Sequence, residues 1–223
     1  NYTDLNYSIA KISYVYDSND RVIKVVNPDG TLKNTSYERL NKTTSDENGN
    51  NIKYVYDSYG NIIQAIEFNN NEEYITNYGY NSANELVQIN DSNGNRFNFT
   101  YDKLGRKTKQ EDPDLGVWEY TYDSVGNLIK QKDNKNAIIT FTYDNLNRIT
   151  RKNSTDLIID FYYDTGKNNT LSRANSSNFV IVYGYDDRLR KVNQNISIDN
   201  QLIILKWDYD ALDRVTRKTL NGN

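Results

Sequence analysis

A tyrosine followed by an acidic or amide residue returns about every 21 positions along this 223-residue chain. The anchors are Tyr16, Tyr37, Tyr56, Tyr80, Tyr101, Tyr122, Tyr143, Tyr163, Tyr185 and Tyr209, with spacings of 21, 19, 24, 21, 21, 21, 20, 22 and 24. A period in the range of 20 to 50 residues marks an architecture built by stacking one small unit against its copies. Residues 1–223 therefore read as a single array of about ten units whose core exists only because neighbours cover one another.

The segment Arg96 to Gly116 serves as a template. Phe97, Phe99 and Tyr101 alternate with Asn98 and Thr100, the period-2 pattern of a strand with one buried face. The same columns recur as Ile12, Tyr14, Tyr16; Ile139, Phe141, Tyr143; and Leu205, Trp207, Tyr209. They are expected to form ladders of buried rings. Asp17, Asp57, Asp102, Asp123, Asp144, Asp164, Asp186 and Asp210 directly follow their tyrosines and can cap a turn through their side-chain oxygens. Four residues after the anchor stands a residue that tolerates positive φ: Gly60, Gly105 and Gly126, with Asn41, Asn84, Asn147, Asp20 and Asp213 elsewhere. A polar residue, often Arg or Asn, comes next and opens a more exposed return strand. A second turn closes the unit, as in DENGN at Asp46 and DSNGN at Asp91. Each unit is two strands and two turns, and no segment reads as a helix.

Composition narrows function mainly by exclusion. With no Cys and no His, thiolate metal sites, the common zinc sites and Ser-His-Asp or Cys-His catalysis are excluded. The 27 basic and 30 acidic residues are evenly mixed, which offers no footprint for nucleic acid. No apolar run approaches the roughly 20 residues of a membrane-spanning helix. Twenty Tyr, 6 Phe and 2 Trp supply the apolar surface that a polar chain otherwise lacks. The absence of Met, even at Asn1, and the broken units at both ends suggest a piece of a longer protein.

The runs FTYDKLGR at Phe99, YTYDSVGNL at Tyr120 and FTYDNLNRI at Phe141 resemble the YD-repeat, or rearrangement-hotspot (Rhs), family, and the resemblance extends over nearly the whole chain. Its members include bacterial polymorphic toxins, the cocoon subunits of insecticidal toxin complexes and the teneurins. The resemblance implies an all-β chain whose hairpins form a continuous, spiralling antiparallel sheet, the wall of a shell or tube. It also implies a secreted or cell-surface protein, with a toxic C-terminal domain as cargo in some members. The aspartate-dependent self-cleavage segment of the toxin members is missing: Asp112-Pro113 sits in a repeat turn.

Sharper chemistry has simpler explanations. The Asp46 and Asp91 loops resemble half of a calcium loop, without its distal Glu or helical frame, and are expected to be ordinary turns. Asp186-Asp187 contains one turn cap and does not require acid/base catalysis. Trp118 and Trp207 would serve as glycan platforms only if exposed, whereas strict alternation places them in the core. Asn-x-Ser/Thr sequons, among them Asn34, Asn41, Asn98 and Asn168, hint weakly at glycosylation. The expectation is a structural scaffold without catalytic site, cofactor or metal, partnered by further repeats, copies of itself or an encapsulated toxic domain. The alternative is an adhesin that binds glycans or a receptor.

Overall fold

The computed structural model describes residues 11–69 and 72–221, so the expected incomplete units at the two termini lie largely outside the described residues. The chain divides into two compact units, one ending at Leu115 and the other starting at Gly116. The first contains β1 (Ser13–Tyr16), β2 (Val22–Val26), β3 (Leu32–Glu38), β4 (Asn41–Ser45), β5 (Asn51–Tyr56), β6 (Ile62–Asn69), β7 (Glu72–Tyr80), β8 (Leu86–Asn90), β9 (Arg96–Tyr101) and β10 (Lys107–Asp112). The second contains β11 (Gly116–Tyr122), β12 (Leu128–Lys132), β13 (Ile138–Tyr143), β14 (Ile149–Asn153), β15 (Ile158–Tyr163), β16 (Leu171–Asn175), β17 (Phe179–Tyr185), β18 (Lys191–Ile198), β19 (Gln201–Tyr209) and β20 (Val215–Leu220). No helix occurs among the described residues. Within each unit every strand pairs antiparallel with the next, so the chain is all-β, as its alternation requires.

Each odd-numbered strand ends on or beside an anchor tyrosine, and after every one but β3 the hairpin that follows carries a bulge at that tyrosine. In β13–β14, Thr142 faces Arg151 but Tyr143 faces Ile149, leaving Thr150 as the extra residue. The same offset occurs at Tyr16, Tyr56, Tyr80, Tyr101, Tyr122, Tyr163, Tyr185 and Tyr209. A type I turn followed by a left-handed residue produces this bulge, which raises the local twist. Among the described hairpins that follow an anchor tyrosine, only β3–β4 pairs without a shift, from Asn34↔Ser45 to Glu38↔Asn41.

The ring columns are shallower than expected. Phe97, Phe99, Tyr101, Phe141 and Tyr143 are half-buried, and Tyr14 and Tyr16 are more than half exposed. Among the described apolar residues only Ala65, Ile66 and Ala174 are buried. Alternation selects one face of a strand, but full burial needs a second packed layer over that face.

Candidate functional site

The recurring arrangement begins with the aspartate after the tyrosine. Asp144 Oδ1 accepts the N–H groups of Leu146 (2.9 Å) and Arg148 (3.0 Å), while Oδ2 accepts Arg148 Nε (2.7 Å). The backbone closes the same turn through Asp144 N–H to Arg148 C=O and Asn147 N–H to Asp144 C=O, both 3.0 Å. Asp17, Asp102, Asp186 and Asp210 repeat this with Arg21, Arg106, Arg190 and Arg214. Asp57 and Asp123 repeat it with the amides of Asn61 and Asn127. The side-chain donors of Arg21, Asn61, Arg106 and Arg190 hold Asp17, Asp57, Asp102 and Asp186 below the usual carboxylate range. At Asp144 and Asp210 the backbone N–H groups of Arg148 and Arg214 do so first.

At Arg21, Asn61, Asn127, Arg148 and Arg190 the side chain so oriented also reaches the next repeat. The guanidinium of Arg21 lies 4.1 Å from the Tyr37 ring centroid, Arg148 4.4 Å from Tyr163, and Arg190 4.8 Å from Tyr209. These are cation–π distances. Asn61 and Asn127 instead donate to the side-chain oxygens of Asn84 and Asn147, the left-handed residues of the following turns.

The anchor hydroxyl completes the link. Tyr143 OH donates to the Leu128 carbonyl (2.8 Å), and Tyr101 OH to Leu86 (2.8 Å). Tyr80 donates to Ile62, Tyr163 to Ile149 and Tyr185 to Leu171, each at 3.0 Å, and Tyr209 to Lys191 at 2.8 Å. Tyr37 to Val22, at 3.5 Å, is the longest. Every acceptor is the return-strand residue facing the previous anchor across its bulge. The ladder between repeats stops short of it: β12–β13 pairing ends at Lys130↔Thr140, two residues from Leu128. The phenol therefore supplies a donor to this carbonyl beyond the end of the ladder between the repeats. Partial burial raises the pKa values of Tyr80, Tyr101, Tyr143, Tyr163 and Tyr185.

Turn positions match most, but not all, of the sequence expectations. Gly60, Gly105 and Gly126 have φ of 91°, 76° and 104°, and Asp20, Asn84, Asn147 and Asp213 are also left-handed. Asn41 is not. The positive φ of its hairpin falls at Arg39 (52°), because Arg39 and Leu40 form a tight turn between the directly paired Glu38 and Asn41. The corresponding position in the Asp186 turn is Leu189, φ 60°, where a branched side chain meets a steric penalty. Asp164 departs from the other caps. It is itself left-handed, φ 62°, accepts Asn169 N–H at 2.6 Å, and points its carboxylate at both terminal nitrogens of Arg148.

The other candidates serve turns or surface contacts. Asp46 and Asp91 cap through Asn50 and Asn95 as the anchor aspartates do, and Asp112 accepts the N–H groups of Asp114 and Leu115. Asp187 pairs with Lys167. Two ammonium groups, Lys191 at 4.2 Å and Lys218 at 5.7 Å, lie over the Trp207 ring. No group of three or more metal-ligating side chains occurs among the described residues.

Pattern reading placed the Arg or Asn five places after the anchor at the start of the return strand and missed its contact with the next repeat. Its recurrence wherever Asp follows the tyrosine was the available signal. The RHS Repeat family model matches residues 80–117 and 122–156. The solved structures of TcdB2-TccC3-Cdc42 and of TcdB2-TccC3 without hypervariable C-terminal region each match 95% of this chain. The first is 17% identical with a TM-score of 0.75, the second 18% identical with a TM-score of 0.76. That likeness is one of fold, and this chain covers 13% of each of those chains. No curated protein sequence matches.

Proposed function

Because the chain carries RHS repeats, we propose that it is a structural scaffold, a stretch of β-sheet wall in a longer secreted or cell-surface repeat protein. The observation that carries this reading is the tyrosine hydroxyl placed on the carbonyl of the preceding repeat, made at Tyr37, Tyr80, Tyr101, Tyr143, Tyr163, Tyr185 and Tyr209. In this role Tyr16 and Tyr122 end their strands at the same bulge, Tyr56 anchors its strand through its backbone N–H on Leu40, the aspartates and glycines set hairpin geometry, and none of these residues is catalytic. Enclosure of a toxic domain fits the fold shared with TcdB2-TccC3 assemblies. Electron microscopy of a full-length protein containing these repeats tests the scaffold: a sheet-walled shell or tube is expected, and a solid globule with no such wall contradicts it. The adhesin alternative predicts saturable glycan or receptor binding by this chain, lost on Trp118→Ala or Trp207→Ala with folding intact. Absence of such binding removes that alternative.

A further inference from the structure

The hairpin after Tyr37 leaves donors unmatched that other anchor turns match. Arg21, Arg106, Arg148, Arg190 and Arg214 stand five places after their tyrosines, and each is ion-paired with the aspartate of its own turn. Lys42 holds that place after Tyr37, where Glu38 replaces the aspartate. Tyr37 and Lys42 pair directly and share a face, so the pleat turns Glu38 to the opposite one. Because this hairpin has no bulge, the Tyr56 hydroxyl has no bulge carbonyl to take. Among the described residues the side chains of Arg39 and Lys42 make no ion pair or hydrogen bond, and the Tyr56 hydroxyl makes no hydrogen bond.

Arg39, Lys42 and Tyr56 line one notch of about 350 Å³, together with Arg21, the Tyr37 ring and Asp57. The notch lies on the anchor-turn edge, where Arg39 and Leu40 form a shorter turn than those after Tyr16 and Tyr56 on either side. Arg21 is neutralised by Asp17, and its guanidinium and the Lys42 ammonium lie 4.1 and 5.9 Å from the Tyr37 ring centroid. Asp57 is the one carboxylate among the lining residues, and its oxygens already accept the N–H groups of Tyr59 and Asn61 and the Asn61 amide. The lining therefore keeps an excess of positive charge and three donor groups without an acceptor. A position at which an otherwise consistent local rule is broken is where a functional site is expected. We propose that this notch binds the tetrahedral oxyanion of a small phosphate or sulfate ester. Arginine offers a planar fork, lysine a compact charge and tyrosine a neutral donor. The three come from the turn, from β4 and from β5, so a tetrahedral group can meet each with a separate oxygen. A carboxylate has only two oxygens, in one plane. The volume is at the lower end for small-molecule sites, roughly 300–1,000 Å³, which leaves room for the body of the ester beside its anion.

The test is an amide NMR titration of the whole chain with glucose 6-phosphate and, separately, glucose 6-sulfate. At least one ester should shift Tyr37, Arg39, Lys42 and Tyr56 saturably, with a Kd at or below about 1 mM, and the tighter of the two identifies the source of the anion. Glucuronate should bind more weakly than that ester, and glucose should leave these amides unmoved. Arg39→Asn removes a charge at φ 52°, a conformation that asparagine tolerates, and should weaken binding about tenfold. Lys42→Gln should do the same, and Tyr56→Phe should have a smaller effect. If Lys42→Gln disturbs the β3–β4 pairing, Arg39→Asn decides alone. Lys103→Gln, at an exposed lysine in the ordinary Asp102 turn, should leave binding unchanged. The proposal is overturned if neither ester gives a saturable shift by about 10 mM, or if glucose or glucuronate matches the esters. It is also overturned if Arg39→Asn has no effect, or if Lys103→Gln weakens binding as much. The notch depends on this hairpin alone, so such a result leaves the scaffold reading standing.

Discussion

Hairpins β3–β4 and β5–β6 are neighbours in the first unit, and they solve the same turn differently. At Tyr56 the chain turns through Asp57 and Gly60, bulges so that Tyr56 faces Ile62, and leaves the Ile62 carbonyl to the Tyr80 hydroxyl. At Tyr37 the next residue is Glu38, the turn is two residues tight, and no bulge forms. The β4–β5 ladder then runs unbroken to Asn41↔Val55 and is continued by Tyr56 N–H to Leu40 C=O at 2.8 Å. Among the described residues the Tyr56 hydroxyl makes no bond to that hairpin. The long loop after Tyr163 separates the contributions further. Asp164 has left its capping position there, yet the bulge at Leu171 persists and Tyr185 still donates to it. The bulge, rather than the aspartate, thus creates the acceptor, and the tyrosine takes the place of a missing ladder bond.

Acid is expected to separate the two hairpin types most widely, since it acts on every capped turn at once. Asp57, Asp102, Asp144 and Asp186 have depressed folded-state pKa values. Their stabilisation is present above about pH 4 and is lost as pH falls through those lower values. Backbone amide NMR shifts of Tyr59, Leu104 and Leu146 should follow this titration, while Leu40 should not. Uniform titration of all four would erase the distinction. Next in size, Gly126→Val forces a β-branched residue into φ 104° and should cost about 2 kcal/mol in denaturant unfolding, whereas Leu40→Val should change little. A smaller effect of opposite sign is expected at Leu189, φ 60°, where Leu189→Gly should stabilise by about 0.5–1 kcal/mol.

Much of this architecture was legible because it is periodic. The columns ending at Tyr101 and Tyr143 display one face of a strand, and Asp102 and Gly105 display a turn. The bulge was not legible, because one extra residue at Thr150 alters pairing without disturbing the apolar pattern of β13. The role of Arg148 was hidden for a related reason. Seen alone it is a polar residue opening an exposed strand, and only the pairing of β14 with β15 brings it over Tyr163. Depth of burial was misread at Phe97 and Tyr14 because alternation reports which face is apolar, not what covers it.

Hydrogen exchange on a tyrosine-to-phenylalanine series tests the central claim most directly. Tyr143→Phe and Tyr185→Phe remove a hydroxyl bonded to a bulge carbonyl, and each should lower the opening free energy of its own and the preceding hairpin by about 1 kcal/mol. Tyr56→Phe follows the anchor hairpin that, among the described residues, lacks a bulge, and should change protection by less than about 0.5 kcal/mol. Equal losses at all three sites would mean that the rings, not the hydroxyl-to-carbonyl bonds, couple one repeat to the next.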